Sequence, residues 1–384
     1  MDGMAGKKSS LTWAVHISVV LLVALWVFPT LGLLVSSFRT GDQISTSGWW
    51  KAMLPAEQTV QVRTGGRDAA TLVDGVYVVE GNLFEEDAQV SGGTISSYGI
   101  SSRDVSAFAV DEPAEFGDGE TLIVAENGDY RYTAVEEPGR RGQRVFVTAE
   151  SPPEFTLENY ENMLLDPNNI EGMSSAFFNT LTVTIPATVI PILIAAFAAY
   201  ALAWMDFPGR ALLIAAVVGL LVVPLQLALI PLLKLHTEIG IGKGYLGVWL
   251  AHTGFGMPLA IYLLRNYMVG LPRDIIENAK VDGATDFQIF TKIILPLSFP
   301  ALASFAIFQF LWTWNDLLVA LVFLIDSSGD TSVMTKEIVE LLGTRGGNWE
   351  ILATAAFVSI AVPLLVFFSM QRYLVRGLLA GSVK

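Results

Sequence analysis

Six long apolar segments constrain the fold of this chain more than any other feature of its sequence. The first, from Leu11 to Val35, is long enough to cross a bilayer, which takes about 20 apolar residues in a helix. A signal peptide would have an apolar core of only about 7–15 residues, so we predict that this first helix is retained. The other segments cover residues 176–203, 211–235, 246–264, 301–325 and 351–368. We therefore predict an all-α polytopic membrane protein with six transmembrane helices.

Composition and motif content exclude several classes of protein. With 52% hydrophobic residues and a mean hydropathy of +0.52, the chain is typical of polytopic membrane proteins and not of soluble domains. It has no cysteine, which excludes disulfides, thiolate metal sites and a cysteine nucleophile. The histidines His16, His236 and His252 show no metal-ligand spacing, and neither a P-loop nor a nucleophile elbow is present. We expect no catalytic site, no metal and no cofactor on this chain.

Lysine and arginine in the tails and short loops predict the orientation of the helices. Ten of these basic residues lie on the side of the two termini, and four lie on the opposite side. The ten are Lys7, Lys8, Arg210, Arg265, Arg273, Lys280, Lys292, Arg372, Arg376 and Lys384, and the four are Lys234, Lys243, Lys336 and Arg345. Cytoplasmic loops carry the excess of positive charge. We therefore predict cytoplasmic termini, in a multi-pass protein of the cell inner (cytoplasmic) membrane.

Residues 39–172, between the first and second apolar segments, are acidic and have a sequence pattern typical of β-strands. They include 9 basic and 24 acidic residues, a net charge of −15, which leaves +1 for the rest of the chain. Two apolar runs turn at Asp74-Gly75 and at Asn127-Gly128, which are strong hairpin signals. We predict a solvated, β-rich extracytoplasmic insertion. The predicted domains are a tail with the first helix (1–38), the insertion (39–172), and a five-helix core (173–384) with a cytoplasmic loop at 269–297.

One long polar stretch lies between two of the apolar segments and has a helical pattern of its own. Residues 271–296 read LPRDIIENAKVDGATDFQIFTKIILP. The pattern predicts a short amphipathic helix from Pro272, a left-handed bend at Gly283, and a second helix that starts with a capping box between Thr285 and Gln288. On the residues alone, the stretch is either an ordinary interfacial loop or a rigid surface knob that another protein can push.

The order of residues in this stretch resembles the signature loop of ABC importer permeases. That loop runs Glu-Ala-Ala, three residues, Gly, nine residues, Ile, one residue and Leu-Pro, and here Asn278 departs from it at the second position. The resemblance implies a type I ABC importer permease fold, in which this loop is the coupling helix that docks in a cleft of a cytoplasmic ATPase. It assigns ATPase coupling to Glu277, Asn278, Ala279, Asp282, Gly283, Ala284, Leu295 and Pro296.

Polar and aromatic residues within the apolar segments are candidates for a translocation path. Charged side chains are costly in a bilayer and by default functional, and aromatic rings stack on sugars while carboxylates accept their hydroxyls. The candidates are Gln226, Trp312, Trp314, Asn315 and Asp316. Interhelical hydrogen bonds and an interfacial tryptophan belt are the alternative explanation. The Trp-x-Trp-Asn-Asp run also resembles sugar permeases, although in maltose importers the resolved sugar contacts belong to the larger permease.

The C-terminal tail is short and basic. It resembles the tail of the smaller maltose-type permease, which reaches the ATPase dimer, and this implies ATPase contact by Arg372, Arg376 and Gly377. A basic end attracted to anionic lipid is equally compatible with the residues themselves. The resemblance covers about residue 155 to the C-terminus plus the first helix. An insertion as large as residues 39–172 is similar to what the α-glucoside importers carry.

The resemblance as a whole implies the smaller permease subunit of a maltose/α-glucoside-type ABC importer. Such a subunit would move α-glucosides or related oligosaccharides, maltose-, trehalose- or sucrose-like, with ATP-Mg bound and hydrolysed on a separate ATPase. The implied partners are a second permease, two copies of the ATPase, an extracytoplasmic sugar-binding protein, the oligosaccharide and membrane lipid, with no nucleic acid. A membrane-tethered sensor or receptor would need an intracellular output domain, and a secondary transporter would need an ion site and inverted repeats. The sequence indicates none of these.

Overall fold

A computed structural model describes most of the chain and divides it into two compact units. The described residues are 10–86, 93–117, 119–165, 173–324, 330–344 and 348–379. One unit is Met1–Asn159 and the other is Tyr160–Lys384. The first contains one long apolar helix and all of the described strands, and the second contains the other long helices.

The first unit contains two antiparallel sheets that share one core. Its elements are α1 (Ser10–Ser36), α2 (Gly41–Thr46), β1 (Ala56–Arg63), β2 (Thr71–Val73), β3 (Val76–Asn82), α3 (Leu83–Glu86), β4 (Thr94–Gly99), β5 (Phe108–Ala109), β6 (Ala114–Gly117), β7 (Glu120–Val124), β8 (Asp129–Ala134) and β9 (Arg144–Ser151). The strand orders are β1-β9-β4-β5 and β2-β3-β8-β7-β6. Val62 and Val147 of one sheet belong to the same buried cluster as Leu122 and Tyr132 of the other. The strands therefore form a sandwich with a core of its own.

Both sequence motifs that indicate hairpins lie at turns between paired strands. Asp74 and Gly75 connect β2 to β3 with φ angles of 52° and 84°. Two successive left-handed residues are what a type I′ turn requires. Asn127 and Gly128 lie in the loop between β7 and β8, where Gly128 has a φ of 88°. The location of these strands outside the cell stays a prediction.

The second unit is a bundle of helices built around three of them. From residue 158 onward the helices are α4 (Glu158–Leu164), α5 (Met173–Trp204), α6 (Arg210–Leu220), α7 (Leu225–Glu238), α8 (Tyr245–Val269), α9 (Arg273–Val281), α10 (Asp286–Ile289), α11 (Leu295–Leu297), α12 (Phe299–Trp314), α13 (Leu318–Phe323), α14 (Met334–Thr344) and α15 (Trp349–Leu379). α5 packs along α8 and α12, and α15 packs along α12. Ala195, Ala199 and Ala260 are fully buried between them. Such small residues let apolar helices approach closely.

Four of the described helices are long and apolar enough to cross a membrane. They are α1, α5, α8 and α15, judged by length and composition. The number rises to six if each of two bent pairs counts as one span. One pair is α6 with α7, which meet at 110°, and the other is Asp286–Leu297 with α12, which meet at 69°. The six-span topology therefore stays a prediction.

The predicted span at residues 211–235 is interrupted. α6 ends at Leu220 and α7 begins at Leu225. Pro224 stands immediately before α7, and because it has no N–H it cannot continue the hydrogen bonds of α6. The prediction of one continuous helix is wrong here.

The predicted span at residues 301–325 is also not one helix. α12 ends at Trp314, and a separate short helix, α13, starts at Leu318. Asp316 accepts the amide hydrogen of Val319 at 2.9 Å. Aspartate competes for backbone amides in this way and favours a new helix start over continuation of the old one. Residue 325 lies outside the described residues.

Candidate functional site

The loop at residues 271–297 bends sharply at the end of α9. The amide of Gly283 donates to the carbonyl of Lys280, and the amide of Ala284 donates to the carbonyl of Ala279, both at 3.0 Å. These two bonds form a Schellman motif, which requires a left-handed residue, and Gly283 has a φ of 82°. The predicted bend at Gly283 is confirmed.

The second helical start of the loop is the predicted capping box. Thr285 Oγ1 accepts from the amide of Gln288 at 3.3 Å, and Gln288 Oε1 accepts from the amide of Thr285 at 2.9 Å. Two amides that have no partner within α10 are satisfied in this way. A π-helical turn at Phe290–Ile294 follows and leads into α11. One boundary differs from the prediction, because Pro272 caps α9 and the helix itself begins one residue later.

The inner face of the loop is packed on the bundle. Ile276, Ile289, Phe290 and Ile294 are at most 4% exposed and share one apolar cluster with residues of α5, α8 and α12. The ring of Phe290 lies 4.6 Å from the ring of Phe197 on α5, measured between centroids. Full burial of each such side chain contributes about 1.5–3 kcal/mol. The loop is therefore attached firmly to the long helices.

The residues assigned to ATPase coupling differ in exposure, and Ala279, Ala284 and Leu295 pack against the apolar cluster of the inner face. Exposed are Glu277, Asn278, Asp282, Gly283 and Pro296, and half-buried are Ala279, Ala284 and Leu295. Six of the eight lie between Glu277 and Ala284 around the bend, whereas Leu295 and Pro296 follow the π-helical turn and line a cavity with residues of α5. Next to them, Lys280 Nζ lies 3.7 Å from Asp286 Oδ1 across the bend. The outer side of the loop thus offers a polar surface on a rigid base.

Sequence analysis missed two exposed apolar residues of the same loop. Val281 is 86% exposed and Phe287 is 65% exposed, one on each side of the bend. Large apolar side chains exposed among charges are typical of interaction surfaces. A signal for Phe287 was present in the sequence. Helical side chains point back over the preceding turn, and Phe287 lies in the first turn of α10, where no such turn exists. Its ring is therefore expected to stay exposed.

A cavity of about 770 Å³ lies beside the bent pair α6 and α7. Gln226 of α7 and Trp312 of α12 line it together with Phe255 and Leu259 of α8. An aromatic ring and one amide in a mostly apolar cavity provide stacking and hydrogen bonding for a small polar ligand. The structure thus brings together two of the five residues predicted for a translocation path.

Trp314 does not line this cavity. It is 1% exposed, and its ring stacks on Phe310 with the centroids 5.7 Å apart. The indole N–H donates to the carbonyl of Ser359 on α15 at 2.9 Å. A buried tryptophan with a satisfied N–H serves packing. The structure therefore places Trp314 in the contact between α12 and α15.

Asn315 and Asp316 cap helices. Asn315 Nδ2 donates to the carbonyl of Leu311 at 2.8 Å at the end of α12. Asp316 Oδ2 accepts from the amides of Val319 and Ala320 at 2.9 and 3.3 Å at the start of α13. These local bonds give both residues a structural role, whether or not a sugar passes near them.

We expect Asp316→Asn to keep the cap of α13 and Asp316→Ala to lose it. The amide oxygen of asparagine accepts the same backbone N–H groups, whereas their loss with alanine costs about 0.5–2 kcal/mol. Thermal unfolding of the purified protein, together with transport of several sugars, separates the roles. A changed sugar preference of Asp316→Asn at unchanged stability supports a role in the path. Unchanged transport of every sugar removes that role.

Gln309, the first residue of the polar and aromatic run that ends at Asp316, joins the three central helices. It is 2% exposed, and its Nε2 donates to the carbonyls of Ala187 on α5 and His252 on α8 at 3.1 and 3.4 Å. A Cβ at Gly256 would lie 2.6 Å from Gln309 Oε1, so the glycine leaves the room that this side chain needs. His252 Nε2 lies 3.8 Å from Asp316 Oδ2. Only the tertiary structure reveals this polar contact among α5, α8 and α12.

The predicted tail residues lie at the end of α15. Arg372 is exposed, and its guanidinium donates to the hydroxyl of Tyr373 at 2.7 Å while lying 4.6 Å from that ring. Arg376 and Gly377 are in the last turns of the helix, the Arg376 side chain lies outside the described part, and so do residues 380–384.

Among the described residues, no group of three or more His, Asp or Glu side chains is placed to hold a metal ion. His236 packs against the ring of Phe323, and His252 Nε2 lies 3.8 Å from Asp316 Oδ2.

Comparison with a protein-family model identifies the family of this chain. The family described as "Binding-protein-dependent transport system inner membrane component" matches residues 167–379, a range that includes the 271–297 loop and the cavity. The chain belongs to this family. It is a permease component of an ABC importer, a transporter subunit and not an enzyme. Neither a membrane-tethered receptor nor a secondary transporter is favoured.

Several permeases are similar to this one over most of their length. "Alpha-glucoside transport system permease protein AglG" of Rhizobium meliloti is 59% identical over 384 residues, which cover 98% of each chain. "Osmoprotective compounds uptake permease protein GgtD" of Synechocystis sp. is 58% identical over 231 residues, 60% of this permease and 76% of the relative. "Trehalose transport system permease protein SugB" of Mycobacterium tuberculosis is 34% identical over 61% of this permease and 84% of the relative. The match to AglG spans the strands as well as the helical bundle.

Proposed function

We propose that this permease imports α-glucosides or related oligosaccharides, such as maltose, trehalose or sucrose. The support is its 59% identity to an α-glucoside permease over 98% of both chains. A trehalose permease at 34% identity supports the same class of substrate. The driving force in this proposal is ATP hydrolysis by a separate ATPase, which holds the ATP-Mg.

The 271–297 loop is the observation that supports coupling to an ATPase. Its buried side, with Ile276 and Phe290, is attached to the long helices, and its outer side presents Glu277 on a rigid bend. An element of this kind transmits displacement from an external partner to the bundle. The proposed contact is a cleft of the cytoplasmic ATPase, with Val281 and Phe287 as apolar contacts beside the eight residues predicted from sequence.

The proposed assembly places this permease beside a second permease subunit and on two copies of the ATPase. An extracytoplasmic sugar-binding protein delivers the substrate. Both termini lie in the cytoplasm, six spans cross the inner membrane with two of them bent, and residues 39–172 lie outside. Arg372, Arg376 and Gly377 contact the ATPase in this arrangement.

The proposed translocation path includes the cavity lined by Gln226 and Trp312. The aromatic ring stacks on a sugar face and the amide bonds with hydroxyls. Asn315 and Asp316 follow Trp312 closely in the chain and remain candidates besides their capping role. The rest of the cavity wall is apolar and forms no hydrogen bonds with the sugar. The affinity therefore stays low enough for the sugar to be released.

The test is to isolate the tagged permease from membranes and identify what purifies with it. We expect an ATPase, a second permease, and ATP-dependent uptake of labelled trehalose or maltose after reconstitution. Competition by unlabelled sugars then ranks the substrates. Reproducible purification without an ATPase would contradict the assembly. Uptake that no α-glucoside inhibits would contradict the substrate class alone.

A further inference from the structure

We propose that five exposed apolar side chains around the end of α1 form a collar that rests in the lipid interface. The collar consists of Trp50, Met53, Leu54, Phe155 and Leu157, which are 65%, 76%, 59%, 48% and 60% exposed. All five belong to the first compact unit. The proposal does not depend on which sugar is transported.

The end of α1 has to lie at the edge of a bilayer. The stretch Leu11–Ser36 has 26 residues and is long and apolar enough to cross a membrane, with little of its surface buried by protein. The hydrocarbon core is about 30 Å thick and takes about 20 helical residues. The last turns of α1 therefore reach the interface between hydrocarbon and water.

The outgoing chain folds back against these last turns. The ring of Trp49 packs on Phe28 of α1, with the centroids 4.5 Å apart. A Cβ at Gly32 would lie 2.6 Å from Trp49 Nε1, so the indole sits directly on the helix backbone. The three collar residues that follow Trp49 are thereby held at the depth where α1 leaves the hydrocarbon.

The returning chain is attached at the same place. The amide of Thr156 donates to the carbonyl of Phe38 at 2.7 Å. Asn159 Nδ2 donates to the carbonyls of Ser37 and Arg39 at 3.0 and 2.9 Å. The two collar residues of this segment flank Thr156 on either side. Both ends of the strand-containing region thus present apolar side chains at the end of α1.

A buried arginine holds the elbow between α1 and the collar in one shape. Arg39 is 2% exposed, and its guanidinium donates to the carbonyls of Gln43 and Ser47 at 2.6 and 3.0 Å and to Ser47 Oγ at 2.6 Å. Gln43 Nε2 in turn donates to the carbonyl of Pro152 at 3.2 Å, which links the outgoing and returning chains. The collar is therefore exposed on a hydrogen-bonded scaffold and not at the tip of a loose loop.

Lipid is the occupant that fits the collar. Tryptophan is enriched where hydrocarbon meets head groups. The exposed Lys51 follows Trp50 directly, and a lysine at this depth buries its stem while its ammonium reaches the phosphates. α1 itself has an exposed apolar surface from Leu11 to Leu31, which is the surface expected of a helix in contact with lipid. We infer that it sets the height and tilt of the β-sandwich on the membrane.

Spin labels at single cysteines test this inference, because the natural chain has no cysteine. The variants are Met53→Cys and Leu157→Cys, with Leu72→Cys in β2 as the control. Leu72 is 63% exposed and Leu157 is 60% exposed, so the two positions are matched. Each full-length variant is purified with its partners, placed in nanodiscs of phosphatidylcholine and phosphatidylglycerol, and probed with oxygen and a water-soluble nickel chelate.

We expect the ratio of oxygen to nickel collision rates to be several-fold higher at residues 53 and 157 than at residue 72. Nickel accessibility equal to that of the control would place the collar in water and overturn the proposal. Low collision rates with both reagents would show a protein cover and overturn it equally. Only variants that elute as the wild-type complex are compared, and Phe155→Cys replaces either position that fails this criterion.

Discussion

We expect sugar uptake to fall at least about tenfold when Glu277 of this permease is replaced by lysine, which corresponds to about 1.4 kcal/mol. Glu277 is exposed on the outer side of the 271–297 loop, so the change leaves the buried inner face intact. A reversed charge disfavours a partner surface that is complementary to a carboxylate. The measurement is labelled-sugar uptake together with ATPase stimulation in proteoliposomes, normalised to the amount of permease in the membrane.

The neighbouring exposed residue supplies the control. Asn278→Ala brings the loop to the sequence that the signature pattern carries, and we expect uptake at the wild-type level. Wild-type uptake and ATPase stimulation in Glu277→Lys would contradict a docking role. Loss of activity in both variants would indicate general damage to the loop.

The same loop offers a second, independent pair of variants at Gly283. Its φ is 82°, and nothing lies within 4 Å of the position that a Cβ would take, so the cost of a side chain is conformational and not steric. A left-handed residue with a Cβ costs about 1–2 kcal/mol, and asparagine tolerates this conformation best. We therefore expect Gly283→Val to lower ATPase stimulation and Gly283→Asn to retain it. Equal activity of the two would show that the bend angle does not matter for coupling.

Removal of the strands should leave the permease able to insert and to bind its ATPase. Ala56 and Ser151 face each other as partners in the pairing of β1 with β9, so their Cα atoms lie about 5 Å apart and a short linker can replace everything between them. The described strands bury their apolar side chains in a cluster whose buried members lie between Val62 and Ala149. The deletion therefore removes a module that has a hydrophobic core of its own.

What the deletion changes is the electrostatic field of the region. A large negative charge steers or repels a soluble binding protein, and salt screens it over about 8–10 Å. We expect transport whose requirement for binding protein is altered and less sensitive to salt, measured as uptake against ionic strength. Failure of the shortened chain to assemble with its ATPase would contradict the separation of the two parts.

A variant that keeps the strands but loses negative charge separates the effect of charge from the effect of the deleted volume. Glu115, Glu126 and Glu136 are exposed on the sandwich. Their simultaneous replacement by glutamine should lower the salt sensitivity of uptake in the same direction as the deletion. An unchanged salt dependence would assign the effect of the deletion to the loss of volume.

The sequence by itself determined the features that depend on neighbouring residues. The bend at Gly283 and the capping box of Thr285 and Gln288 were predictable because helix caps are made by residues three to five positions apart. The turn at Asp74 and Gly75 was predictable for the same reason, since only a few residue types accept two left-handed positions. The existence of long apolar helices follows from their length and composition alone.

Only the tertiary structure decided which polar residues within the helices face a cavity and which serve packing. Trp312 and Trp314 stand two positions apart in one apolar run, yet one lines the cavity and the other bonds to Ser359, 45 residues further along the chain. Gln309 finds its acceptor at Ala187, 122 residues away. In an apolar helix every face has the same composition, so the pattern carries no information about which neighbour each face meets. That information arises when the helices pack, and it assigns Trp314 and Gln309 to the core of the bundle.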